Sequence, residues 1–187
     1  NLFFREGEKL YPFLFADNER YLRDLPYIRD ARILVNPVEG TADSVDVVVL
    51  TKDVFSIGAK VFISSKDRGR GELSEDNLFG SGSRLQFSSY YERGRYPTTG
   101  VGGEFVRRNI GGSFIDWVSG YQDYRSAFTS NRNQETVVYT RIEKPMVTPY
   151  IPTTGALEWS YQRTRNVYDT DSIYHYDYRY ASYNIDA

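Results

Sequence analysis

The chain has 187 residues, with 23 Lys plus Arg against 25 Asp plus Glu and a formal net charge of −2. That balance excludes a nucleic-acid binder driven by bulk charge, and the absence of cysteine excludes disulfides, thiolate metal sites and cysteine nucleophiles. Aromatics make up 16%, with 17 Tyr and 11 Phe against one Met, a bias that favours strands over helices.

Residues Tyr11 to Leu25 read as a helix. Pro12 suits its first turn, where a missing N–H is no loss. Phe15, Leu22 and Leu25, with Asn18 and Tyr21, make a stripe at helical spacing, and Pro26 ends it. Ala31 to Val35 alternates and is β-branched, a polar loop follows through Asp43, and Val45 to Thr51 is a second strand. The loop is short enough for an antiparallel hairpin with the helix on one face. Such a piece is small to stand alone.

The composition changes near Asp53, and almost everything beyond it alternates. Ile57, Ala59, Val61 and Ile63 alternate with Gly58, Lys60, Phe62 and Ser64. Lys66 to Gly71 reads as a turn, and Glu72, Glu75 and Asp76 as a solvated acidic loop rather than a cation site. Further strands are read at Leu85 to Tyr91, Val101 to Arg107, Ile115 to Tyr121, Glu135 to Ile142, Leu157 to Tyr161 and Tyr174 to Ala181. In the last, the tyrosines 174, 176, 178 and 180 are expected on one face and His175, Asp177 and Arg179 on the other.

Alternation fits two architectures. In a soluble sandwich the apolar face points at a core; in an outer-membrane barrel it meets lipid and the polar face lines the lumen. Strand length near eight to ten residues, about that of a membrane-crossing strand, favours the barrel. So do aromatics placed towards strand ends (Tyr90, Tyr91, Tyr96, Tyr121, Tyr124, Tyr150, Tyr168), as an interfacial girdle requires. The opposite face carries Arg84, Gln86, Glu92, Glu158, Gln162, Asp177 and Arg179. The longest purely aliphatic run, Val47 to Leu50, is far short of the roughly 18 residues of a spanning helix, but a barrel leaves no such trace. The chain opens on a residue other than Met, without a leader pattern, and ends inside a strand-like pattern; a fragment or processed chain is expected.

Little in the sequence carries chemistry. The single histidine, His175, has Asp177 on its own face but no nucleophile placed near it, and reads as one more polar wall residue. Gly100-Val-Gly102-Gly103 lacks the spacing and following helix of a phosphate loop; strand glycines beside aromatics fit bends and close packing. No metal cluster or cofactor signature stands out, and a chemical step is not expected.

Two stretches carry a resemblance. Asn18-Glu-Arg-Tyr-Leu-Arg-Asp-Leu-Pro-Tyr-Ile-Arg-Asp-Ala-Arg-Ile33, followed by Val45-Asp-Val-Val-Val-Leu-Thr-Lys52, resembles the second half of a POTRA domain. Asp76-Asn-Leu-Phe-Gly-Ser-Gly-Ser-Arg-Leu85 resembles the turn and strand found early in Omp85-type barrels, and Glu143-Lys-Pro145 with Pro149 and Tyr150 looks like a later strand-to-turn passage of that family. The chain thus resembles the Omp85 superfamily of BamA/TamA type, also called the bacterial surface antigen family. The resemblance implies a mainly β fold, a partial antiparallel transmembrane β-barrel preceded by part of a small α+β POTRA domain. Residues 1–53 would be the end of the POTRA domain and 54–187 the first six or seven barrel strands, with the Asp76–Leu85 motif leading the second.

It further implies a bacterial outer-membrane location with the N-terminal part in the periplasm, no cofactor and no nucleic acid. The implied partners are outer-membrane lipids, client outer-membrane proteins and assembly-machinery subunits. The implied activity is insertion or translocation of other proteins without a chemical step. A closed barrel has no free edge, so a weakly paired first strand would open and template an incoming one. The candidate seam is Phe55, Ser56, Ile57, Gly58, Ala59, Lys60 and Val61, within an expected first strand from Phe55 to Ser65. The hairpin edge residues Ile33, Val35, Val47 and Val49 are a second candidate for accepting a client strand. A passive or secretory pore of the same fold and a soluble β-sandwich binding module are the alternatives.

Overall fold

A computed structural model describes residues 2–40, 44–126, 133–149, 153–167 and 179–186. It resolves into two compact units, residues Asn1–Ser56 with Met146–Pro152, and Ile57–Pro145 with Thr153–Ala187.

In the first unit α1 (Pro12–Asp24) precedes β1 (Ile28–Pro37) and β2 (Val45–Asp53), an antiparallel pair. Pro12 occupies the first turn, and Leu25 is already extended, as a residue before proline prefers. The helical stripe packs on the hairpin: Leu22, Leu25 and Ala31 form the buried centre, with Tyr21, Tyr27, Ile28 and Val49 against it. Asn18, fully buried, accepts a hydrogen bond from the Phe3 N–H at 3.1 Å, so its amide is satisfied rather than stranded. Phe3 also lies 5.4 Å from Tyr21, ring to ring. Thr148 adds a bond from its hydroxyl to the Asp17 carboxylate at 2.8 Å.

The second unit is one eight-stranded antiparallel meander in sequence order: β3 (Ile57–Ser65), β4 (Arg68–Leu78), β5 (Ser83–Glu92), β6 (Thr99–Arg107), β7 (Asp116–Ser126), β8 (Asn133–Lys144), β9 (Gly155–Asn166) and β10 (Arg179–Asp186). The sheet is open: among the described residues β3 and β10 each have one neighbour and are not paired with each other.

Several expectations need correction here. Among the described residues the sheet holds eight strands rather than the expected six or seven, because residues 68–78, which the sequence offers as a turn and a loop, form β4. The turn is only Lys66-Asp67, with Ser65 facing Arg68 across it. Glu72, Glu75 and Asp76 lie in β4, where Glu72 pairs with Arg70 at 2.9 Å and Asp76 with Arg84 at 3.3 Å. The Asn77–Gly82 motif therefore leads the third strand of the sheet, β5, not the second. Phe55 and Ser56 precede β3 instead of opening it. In β10 the expected parity is reversed: Tyr180 faces Gln162 on the polar side, and Arg179 faces Arg163 in the apolar row. His175, Asp177, Tyr174, Tyr176, Tyr178, Tyr150 and Tyr168 lie outside the described residues.

Candidate functional site

Cross-strand register sorts every strand residue to one of two faces, because directly opposed residues share a face. One row runs Ile57, Glu75, Leu85, Phe105, Ser119, Thr140, Trp159, Tyr183. Its neighbours on the same face include Val61, Ile63, Leu73, Phe87, Val101, Trp117, Tyr121, Val138, Ile142, Leu157, Tyr161 and Ile185. Of these large apolar side chains only Phe105 is half-buried, edge-on to Trp117; the rest are solvent-exposed, Val61 76% and Ile63 79% open. Among the described residues no second layer covers them. A sandwich would bury this face at roughly 10 Å from an opposing sheet. The indole N–H of Trp117 is nevertheless satisfied, donating to Thr140 on the adjacent strand at 2.8 Å. A polar atom on an apolar surface thus finds its partner inside the sheet.

The other face is polar, bonded and largely closed to solvent. Tyr139 donates to Glu104 at 2.5 Å, and Tyr180 to both oxygens of Glu135 at 3.0 Å. Arg141 pairs with Glu143 at 2.6 Å. Tyr90 and Tyr124 stack with centroids 5.0 Å apart, and the Tyr124 hydroxyl donates to Ser88 at 2.8 Å. These two tyrosines were expected in an outward girdle; they are wall residues of the polar side, and Tyr91 and Tyr121 alone of the strand tyrosines first placed in that girdle stand on the apolar face. The glycines of β6 and β7 make this packing possible. A Cβ on Gly100 would lie 3.1 Å from Tyr124 Cβ, and one on Gly120 would lie 2.4 Å from the Tyr139 ring. At Gly100 that is the close-packing role read from the sequence, not a phosphate loop; at Gly120 the sequence gives no such sign.

The β5–β6 connection bonds to β7 and to the residue that follows β9. Arg95, whose side chain has no exposed surface, donates to the carbonyls of Pro97 and Thr99 and to that of Asp123 at 3.0 Å. The Tyr96 N–H reaches the Val167 carbonyl at 2.7 Å, across β7 and β8. Sequence reasoning missed Arg95 entirely; an arginine between Gly94 and a Tyr-Pro step gives no local sign that it will be buried.

The proposed seam residues Ile57 to Val61 lie on the edge strand β3. Its outer backbone groups have no strand beside them among the described residues, the condition for strand addition. Gly58 leaves room for Ser74, whose hydroxyl would sit 2.8 Å from an added Cβ. Phe55, 84% exposed, precedes the strand.

In the small hairpin the four candidate edge residues divide. Ile33 faces Val49 and Val35 faces Val47. The Ala31 and Ile33 N–H groups are taken by the Asp30 and Glu19 carboxylates, at 3.0 and 2.6 Å. Both therefore point away from β2, so the Ala31–Thr51 and Ile33–Val49 pairs are of the non-hydrogen-bonded kind. By the same parity the backbones of Val47 and Val49 point out along the far edge of β2. The β1 edge is blunted by the helix carboxylate; the β2 edge is the open one. Among the described residues no group of acidic and histidine side chains is arranged to hold a metal.

The fold has a counterpart among solved structures. The crystal structure of BamA from Haemophilus ducreyi lacking POTRA domains 1–3 matches 97% of this chain with a TM-score of 0.52 and 17% sequence identity. The likeness is one of fold: the open antiparallel meander is similar to part of a BamA barrel. The chain spans 38% of that BamA chain. No protein-family model and no curated protein matches the sequence.

Proposed function

We propose that the chain works as an outer-membrane β-barrel protein of Omp85 type, with residues 1–53 as POTRA-like material in the periplasm, and that it assists insertion or translocation of other outer-membrane proteins. The work is done by strand templating at β3, without a chemical step. Its partners are lipid, client strands and subunits of an assembly machinery. The observation that carries this reading is the exposed, largely apolar face backed by a bonded polar face. That pairing is stable against hydrocarbon and unfavourable in water, where so many exposed apolar side chains on one face drive aggregation. The likeness to BamA supports the same reading. A soluble sandwich is disfavoured because no opposing layer covers the face among the described residues.

Site-specific photo-crosslinking tests the templating role. A photoreactive residue replacing Lys60 on β3 should capture an unfolded outer-membrane client in lipid vesicles. The same probe replacing Tyr121, in mid-sheet, should not. Equal capture at both positions, or ion conductance without any capture, would replace templating with the pore.

A further inference from the structure

The β4–β5 turn displays one side chain that the rest of the fold does not use. Phe79 is 98% exposed and sits at φ 52°, a left-handed conformation that bulky residues avoid. The turn around it is closely hydrogen-bonded. Asn77 accepts from the Gly80 N–H through its carbonyl and from the Gly82 N–H through its side chain, both at 2.8 Å. The Ser81 hydroxyl donates to the Leu78 carbonyl at 2.7 Å. Arg108 donates to the Gly82 carbonyl at 3.1 Å, and Arg107 to Ser83 at 3.3 Å. A strained backbone and a fully wetted ring both oppose stability, yet five hydrogen bonds hold the ring out.

We propose that Phe79 is a lipid anchor, set into the boundary between headgroups and acyl chains at the end of the sheet where β4 meets β5. This rests on the membrane-barrel reading above. Two observations select lipid over a protein partner. The tip beside the ring is Gly80 and Ser81, so one isolated ring is offered, without the surrounding contacts that exclude water at a protein hot spot. At the same end of the sheet the apolar face is bordered by the facing pair Arg107 and Trp117. Basic and indole side chains are the residues that settle at a membrane–water interface. Arg107 is bonded to the turn through Ser83, which ties the displayed ring to that border.

The chain has no cysteine, so Phe79→Cys gives one labelling site in the otherwise intact protein. The variant carries an environment-sensitive nitrobenzoxadiazole label and is folded into phosphatidylcholine vesicles with quenchers placed near the headgroup or at the acyl-chain end. The expected result is blue-shifted emission, quenched more strongly by the shallow position than by the deep one. Emission as in water with quenching by aqueous iodide, quenching chiefly from the deep position, or shielding from every quencher (contact with protein) each overturns the proposal. Phe79→Trp in a Trp117→Phe, Trp159→Phe chain repeats the reading without a label, should the labelled variant misfold. In the same vesicles the native Trp117 and Trp159 report on the barrel itself. If they are quenched by lipid while position 79 stays aqueous, the anchor fails and the barrel stands; if they are not, both fail.

Discussion

Three residues on the polar face show how glycine, tyrosine and arginine divide the work of holding it. Gly120 gives up side-chain packing so that the Tyr139 ring can lie across it and reach Glu104. Gly120→Ala should push that ring away, at a cost of about 1–3 kcal/mol in urea unfolding from lipid. Tyr139→Phe should cost about 1 kcal/mol, the bond without the clash. Arg95 carries more: Arg95→Met removes a buried cation from three carbonyls and from the Asp123 carboxylate, 3.7 Å away. It should destabilise by about 3 kcal/mol or more in the same measurement, since an uncompensated carboxylate remains. None of this was legible in the sequence beyond the glycines themselves. The partners are brought together by register, 35 residues apart in the case of Tyr139 and Glu104.

Elements were legible in proportion to how much their own residues alternate. The helix, the hairpin and β3, β5, β7 and β9 place apolar and polar side chains at a clear period, and the structure places them within a few residues of the expected limits. β4 did not show itself, because its apolar face carries Gly69, Gly71 and Glu75 around a single Leu73. It is a strand through its two neighbours, and its charges at 68, 70 and 72 stand on the polar face rather than in a loop. The reversed parity of β10 has the same origin: Tyr fits either face, so a run of alternating tyrosines leaves the register free by one step. Face assignment can be tested within β3. Val61→Arg puts a charge mid-strand on the apolar face and should cost about 2–4 kcal/mol, seen as reduced folding into vesicles. Lys60→Gln, one residue earlier on the polar face, should fold nearly as the parent. Equal losses would mean that the two faces do not differ in surroundings.

For the whole molecule, what meets the apolar face of the eight-stranded sheet decides the rest. Sequence alternation left lipid and an opposing layer equally open; the structure leaves the face bare among the described residues, and its fold is similar to BamA's. In the absence of detergent or lipid the chain should aggregate through this face and its open edges. The most direct test uses the two native tryptophans, Trp117 on β7 and Trp159 on β9, which both stand on that face. Folded into vesicles whose acyl chains are brominated, both should be quenched by the lipid and protected from aqueous acrylamide. Tryptophans unquenched by brominated lipid, in a chain that stays monodisperse in plain buffer, would contradict the account.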